Sequence, residues 1–482
     1  MTNKRVKSFL GVISLLSLIG VAMIISFKQY LVTYIDGDVI SIVLPLPTYT
    51  LALTDPFGLH AILKGETYGG AGRWFCHWTL YTLFHDGYFL IKKFSSDDIQ
   101  SLFLTSALFQ WFCHWLMVVM IALYANMHRS FSLKFFLISC VLAFPFFQLN
   151  HWHANAAIID LSVTYTAFYG FPLALLMLFF YPFFRSFFLS KAMPAVAVTI
   201  SLIIGLFLIF SGPLIPVLGI FLSGVLLALF YLKSLPTNPE FHLYDFFRRI
   251  KKMPLPVLGM LPAFLIMWAY AFYIGRFNSE NITSILVFDR YKLMLSRAPS
   301  YFFRYGLPFW YALVIMQFIF LRRFHRVILK TEEFRVIIVI GIMILMYLLL
   351  LPLGGYRHYR PDILRYDVTM PFTIFLIVVI ISGTLFLLQS DKIKFRIPLL
   401  ITTLIMLLIS WLQNFPIRNT REEQELNLQV LANAKTDTVI VLPYSSNFFS
   451  WQKIEDPSKS IFIRQMIYEW GITDLPIVFY QK

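Results

Sequence analysis

Two carboxylates stand just beyond the first apolar stretch of the chain, in Tyr34-Ile35-Asp36-Gly37-Asp38. An aspartate held there can take the proton from a hydroxyl as a bond forms to its oxygen. The plainer alternative is a solvated acidic turn, but acids beside hydrocarbon are costly and tend to mark a site. Further on, Glu66-Thr67-Tyr68-Gly69-Gly70-Ala71-Gly72-Arg73-Trp74-Phe75-Cys76-His77-Trp78 sets Arg73 and His77 one helical turn apart, behind glycines that permit close backbone approach. A second cluster, Tyr356-Arg357-His358-Tyr359-Arg360-Pro361-Asp362-Ile363-Leu364-Arg365-Tyr366-Asp367, mixes arginines with acids and tyrosines. Guanidinium forks match phosphate bidentately. Arg304-Tyr305-Gly306-Leu307-Pro308 opens another apolar stretch in the same manner. The candidate catalytic residues are thus Asp36 and Asp38. The candidate substrate-binding residues are Arg73, His77, Arg304, Arg357, Arg360, Arg365 and Tyr366. An aromatic and basic anchoring belt at a membrane surface is the competing explanation for the arginines.

One set of residues suggests a cofactor. His151-Trp152-His153 with Asp160 offers ligands for a divalent metal, although a single His-x-His pair is a weak signal. The three cysteines, Cys76, Cys113 and Cys140, form neither a disulfide framework nor a metal motif. No phosphate-binding glycine loop, HExxH or nucleophile elbow is present.

The elements that must position these residues are apolar. Of the 482 residues 59% are hydrophobic and only 13% charged, with a mean hydropathy of +0.72; soluble domains average about 25% charged. The apolar residues fall in long blocks, which predicts an all-α polytopic membrane protein. Eleven windows read as spans: 8–27, 101–124, 134–150, 168–184, 193–211, 213–232, 255–274, 306–321, 336–352, 368–389 and 397–412. With the N-terminus inside, half of the 40 Lys and Arg but only a fifth of the 25 Asp and Glu lie on the inner side. That bias predicts an N-in, C-out topology and accounts for the net charge of +15 without a nucleic-acid partner. It also places every candidate residue on the outer side. Charges avoid the middle of each window, unlike those of ion-coupled carriers.

The expected layout is a multispan membrane domain over 1–412, with a long first outer loop at 28–100, and a small extracytoplasmic α/β segment over 413–482. Within the loop, Val39–Leu63 is too polar to span and reads as an interfacial helix. In the tail, Thr438–Leu442 and Pro476–Tyr480 read as strands and Ile461–Trp470 as a helix.

An acid just past the first span, a long first outer loop, many spans and an outer C-terminal segment together resemble the GT-C superfamily of integral-membrane glycosyltransferases. The likeness covers the whole chain in layout; in residues it rests on Asp36, Asp38 and the arginine-rich outer loop. Gly72-Arg73-Trp74-Phe75 and Tyr356–Asp367 are also similar to multispan proteins of Bacteroidetes type, a likeness that brings no activity with it. The resemblance implies a multi-pass protein of the bacterial inner membrane. Its partners would be membrane lipid, a polyprenyl-phosphate-linked sugar, and a glycan or lipid acceptor of the envelope on the outer face. Asp36 or Asp38 would be the base, the arginines would stabilise the departing lipid phosphate, and Trp74, Trp78, Trp152 and Tyr359 would stack on sugar rings. A polysaccharide polymerase or ligase, or a flippase for lipid-linked glycans, are the alternatives.

Overall fold

The computed structural model describes residues 2–147, 158–212, 214–233, 249–281, 284–303, 307–325, 331–354, 362–390, 393–412, 420–435 and 438–482. It is 75% helical with almost no strand. Among the described residues each of the eleven apolar windows overlaps a helix, and eight helices are long and apolar enough to cross a bilayer. The chain is a multi-pass membrane protein.

The helices begin and end where side chains can serve their orphan backbone groups. The Asp98–Ala125 helix is capped by Asp97, whose Oδ1 accepts from Gln100 N at 3.0 Å, and the amide of Asn126 donates back to the Ala122 carbonyl at 2.8 Å. Between spans the packing is aromatic, with Phe179, Phe180, Phe264 and Trp268 buried against one another. Gly219 is what admits the Trp268 indole, since a β-carbon there would lie 2.4 Å from the ring.

Polar side chains lock the first helix, Thr2–Leu31, to Asp98–Ala125. The Tyr30 hydroxyl meets His114 Nδ1 at 3.1 Å, and Thr33 donates to Gln110 Oε1 at 3.1 Å. The Gln110 amide then donates to the carbonyls of Asp160 and Leu161 at 2.8 and 3.0 Å. A buried glutamine thereby fixes the segment leading into the next long helix.

The long first loop and the tail form one body. The interfacial stretch is three short helices, Val39–Val43, Thr50–Thr54 and Leu59–Lys64, in place of one. Pro45, Pro47 and Pro56 interrupt it, and Gly58 turns with φ +67°. In the tail, Ile440–Leu442 pairs in parallel with Phe479–Gln481, and the Ile461–Glu469 helix lies between them in sequence. A hydrophobic core joins Ile35, Val39, Val43, Phe84 and Tyr88 of the loop to Leu442, Phe448, Met466 and Trp470 of the tail. Gln424 pairs with both backbone groups of Ile35, accepting from its N–H at 2.9 Å and donating to its carbonyl at 3.0 Å. The tail is therefore held against the segment that carries Asp36 and Asp38.

Candidate functional site

The sequence places glycines before Arg73, and the structure shows what they are for. Gly70 and Gly72 take φ of +80° and +73°, which L side chains rarely adopt. A β-carbon on Gly70 would lie 2.5 Å from His77 Nε2. The loop is clamped on three sides: Tyr68 bridges to the 277–279 backbone, Gly70 N donates to Asn278 Oδ1 at 3.2 Å, and Gly212 N donates to the Gly72 carbonyl at 3.1 Å. Arg73 precedes the Trp74–Thr82 helix, and His77 N donates to its carbonyl at 3.2 Å, so the one-turn spacing holds.

Arg73 and His77 line a polar cavity of about 100 Å³ together with Asp38, Ser41, Ile42 and Tyr49 of the same long loop. Thr164, Tyr165, Phe168 and Tyr169 form another wall, and Glu280 closes it. That wall contains a π-helical turn, Thr166–Gly170, which sets Phe168 and Tyr169 on the cavity side; such turns recur at functional sites. The volume suits several waters or a small polar group.

The charges in the cavity are paired. Arg73 Nη1 donates to Glu280 Oε2 at 3.3 Å, and Tyr49 donates to Glu280 Oε1 at 2.6 Å. Arg73 Nε is buried with no hydrogen-bond partner among the described residues. His77 is a neutral imidazole: burial, and then the charge of Arg73, push its pKa down to about 3, while Glu280 opposes. It therefore cannot serve as a cation, but its Nδ1 is buried without a partner among the described residues. Asp38 Oδ1 accepts from the Trp451 indole at 2.7 Å, which brings the tail to the rim.

Asp36 lies behind this wall and is fully buried. Its carboxylate accepts four hydrogen bonds: from Asp38 N at 3.0 Å, Ser162 Oγ at 2.7 Å, Thr164 N at 3.0 Å and Thr164 Oγ1 at 2.8 Å. Ser162 Oγ in turn accepts from Tyr165 N at 3.1 Å. Asp36 thus caps, from a distant segment, the first turn of the helix that runs into the π turn, and its negative charge suits that positive end. Of the two aspartates, Asp38 is the one on the cavity.

Arg365 caps the Tyr366–Gln389 helix and forks onto Asp367, with Nε donating to Oδ1 at 3.1 Å and Nη2 pairing with Oδ2. Burial works against the guanidinium charge, but Asp367 outweighs it and holds Arg365 protonated. Tyr165 joins the two regions, its ring lying 5.8 Å from Tyr169, 6.4 Å from Tyr366 and 6.5 Å from Trp451. Asp38, Arg73 and His77 thus share one cavity, with Asp36 at its back and Arg365 and Tyr366 alongside. Arg304, Arg357 and Arg360 lie outside the described residues, as do His151, Trp152, His153 and Tyr359. Among the described residues no group of three or more His, Cys, Asp or Glu is arranged to hold a metal. Trp78 stacks on Trp74 at 5.6 Å and on Phe207 at 6.1 Å and is 39% exposed.

Sequence reasoning passed over Glu280, Tyr49 and Tyr165. One signal was available: a buried arginine needs a counter-charge, so some outer acid had to face Arg73. It also gave Asp160 only a metal-binding role. Asp160 is 1% exposed, and burial pushes its pKa up to about 7; Tyr366 and the Ser162 N–H offset part of this, and Asp367 and Asp36 add to it. Its Oδ1 accepts from Ser162 N at 2.6 Å, whereas Oδ2 is buried with no hydrogen-bond partner among the described residues.

A pH dependence follows. An aspartate of pKa near 3.8 when unfolded and about 7 when folded binds its proton more tightly in the native state. Its stabilising contribution is full below about pH 4 and is lost as pH rises through 7. Asp160→Asn is expected to raise thermal stability at pH 8, by on the order of 4 kcal/mol, and to flatten stability between pH 4 and 7. Parallel melting curves for wild type and variant across that range would refute this. The chain matches none of the family models, characterised proteins or solved structures with which it was compared.

Proposed function

We propose that this chain is a GT-C-like glycosyltransferase of a bacterial inner membrane, with eleven spans, its amino end inside and the polar cavity on the outer face. It would transfer a sugar from a polyprenyl-phosphate donor to an envelope glycan or lipid acceptor. The observation that carries this reading is the convergence of Asp38, Arg73 and His77 on one cavity where the membrane helices meet the outer body. Asp38 takes the proton of the attacking hydroxyl, and Asp36 fixes the backbone on which Asp38 and Thr164 sit. Arg73 and Arg365 are already paired with Glu280 and Asp367, so the cavity suits sugar hydroxyls better than a phosphate dianion. The lipid phosphate is assigned to Arg304, Arg357 and Arg360.

The test is transfer of labelled sugar from a polyprenyl-phosphate donor by the reconstituted protein. Asp38→Asn is expected to lower the rate about 100-fold or more, the scale of a lost general base, with an unchanged melting temperature. Full activity in a normally folded Asp38→Asn protein would remove the base assignment. Passage of lipid-linked sugar across vesicles without glycoside formation would favour the flippase, and lengthening by whole repeat units the polymerase.

A further inference from the structure

At the end of the helix bundle opposite the polar cavity lies a larger and different space. It is a slot of about 650 Å³ between the helices Leu307–Phe324, Glu332–Leu350 and Tyr366–Gln389. Apolar side chains, among them Phe318, Ile338 and Phe375, line its length. Ile315, Phe318 and Ile338 are also partly exposed, so one side opens laterally toward hydrocarbon. The slot runs from Gln389 at the helix end up to Phe375. That is about 21 Å at 1.5 Å per residue, against a hydrocarbon core of about 30 Å. A space of this depth takes the acyl chains of one leaflet and ends past the midplane.

The mouth of the slot carries two opposite charges that attract each other without meeting in an ion pair. Arg129, in the turn after the Asp98–Ala125 helix, lines it from one side and Glu333, in the first turn of Glu332–Leu350, from the other. No ion pair joins them among the described residues. Arg129 Nη1 is buried with no hydrogen-bond partner among the described residues, while its Nε donates to His128 Nε2 at 2.6 Å. His128 supplies an acceptor and no charge, because burial, reinforced by Arg129, brings its pKa down to about 4. The neighbouring Glu332 is taken by Lys233 at 3.1 Å, which leaves Glu333 as the carboxylate at the mouth.

We propose that this slot binds a diacyl phospholipid with a phosphoethanolamine headgroup, its phosphate on Arg129, its primary ammonium on Glu333 and its chain along the apolar wall. The pattern of one guanidinium and one carboxylate, held apart over a greasy slot, complements a zwitterion whose cationic end can donate hydrogen bonds. A glycerol headgroup offers Glu333 neutral hydroxyl donors without a positive charge, and a choline headgroup offers a charge without an N–H donor. The assignment does not depend on the chemistry proposed at the opposite end of the bundle.

The experiment uses the full-length protein, delipidated in detergent, with its melting temperature followed as dioleoyl phosphatidylethanolamine, phosphatidylglycerol or phosphatidylcholine is titrated in. Phosphatidylethanolamine is expected to stabilise most and at the lowest concentration. Arg129→Gln should weaken that binding about tenfold, the scale of one charge-assisted hydrogen bond. Glu333→Gln should abolish the preference for phosphatidylethanolamine over phosphatidylglycerol while stabilisation by lipid persists. Gly341→Phe, which fills the slot wall next to Phe375, should remove stabilisation by all three. Equal stabilisation of the wild type by the three lipids would overturn the proposal, as would a preference that survives both Arg129→Gln and Glu333→Gln.

Discussion

Asp36→Asn is expected to destabilise the protein by on the order of 3–4 kcal/mol, through hydrogen bonds to a buried charged acceptor. The carboxylate accepts from four donors and has none of its own. An asparagine keeps one acceptor oxygen, which can serve Thr164 Oγ1 and Asp38 N. Its amide nitrogen then faces the Thr164 N–H, donor against donor, and the Ser162 hydroxyl must turn to accept from it, at a fully buried position. The charge that favours the first turn of the helix beginning at Val163 is also lost. Thermal unfolding in detergent measures the loss. A melting temperature within about a degree of wild type would show that the hydrogen bonds to Asp36 are not structural. Comparison with Asp38→Asn separates the two aspartates: the first variant should fail in stability and activity together, the second in activity alone.

Why the sequence could name the pair but not divide their roles is clear from the geometry. Adjacency to the first apolar stretch marks both residues equally, and the positive-inside bias puts both on one side. What distinguishes them is the 162–164 backbone, more than a hundred residues away, and no local pattern announces that Ser162 and Thr164 will close on Asp36. Elements whose cause is local were legible: the long apolar helices, eight of them long enough to span, the strands of the tail, and the one-turn spacing of Arg73 and His77. The interfacial stretch was misread as one helix because its apolar content was weighed above Pro45, Pro47 and Pro56. Glu280 and Tyr49 were invisible for the same reason as Thr164, since their meeting with Arg73 is tertiary. Asp160 is a further case: its altered proton affinity comes from burial beside Tyr366, Asp36 and Asp367, which no neighbour in sequence announces.

Gly37 has a role that its chain neighbours conceal, and Gly37→Ala is the sharpest test of how the tail supports the site. Between two acids at a loop, glycine reads as a flexible spacer. In the fold it is a contact surface: a β-carbon there would stand 2.5 Å from Trp451 N, 2.7 Å from the Ser450 carbonyl carbon and 2.9 Å from Ser450 Cα. All three are backbone atoms, so no rotamer relieves the overlap and the 450–451 segment must withdraw. That movement breaks the Trp451 indole bond to Asp38 and strains the pairing of Gln424 with Ile35 two residues earlier. The hydrophobic core shared by loop and tail amplifies the damage, because Ile35 and Val39 flank the glycine and Phe448 and Phe449 precede the displaced segment. A cost of about 3 kcal/mol, the upper end for overpacking, is expected from a single added methyl group. Limited proteolysis should show the tail released from the membrane domain while the spans remain intact. Transfer should fall with it, since the Asp38 carboxylate loses a donor that helps to fix its direction. If Gly37→Ala left the tail as protected as in the wild type, the tail would not be what holds Asp38 in place.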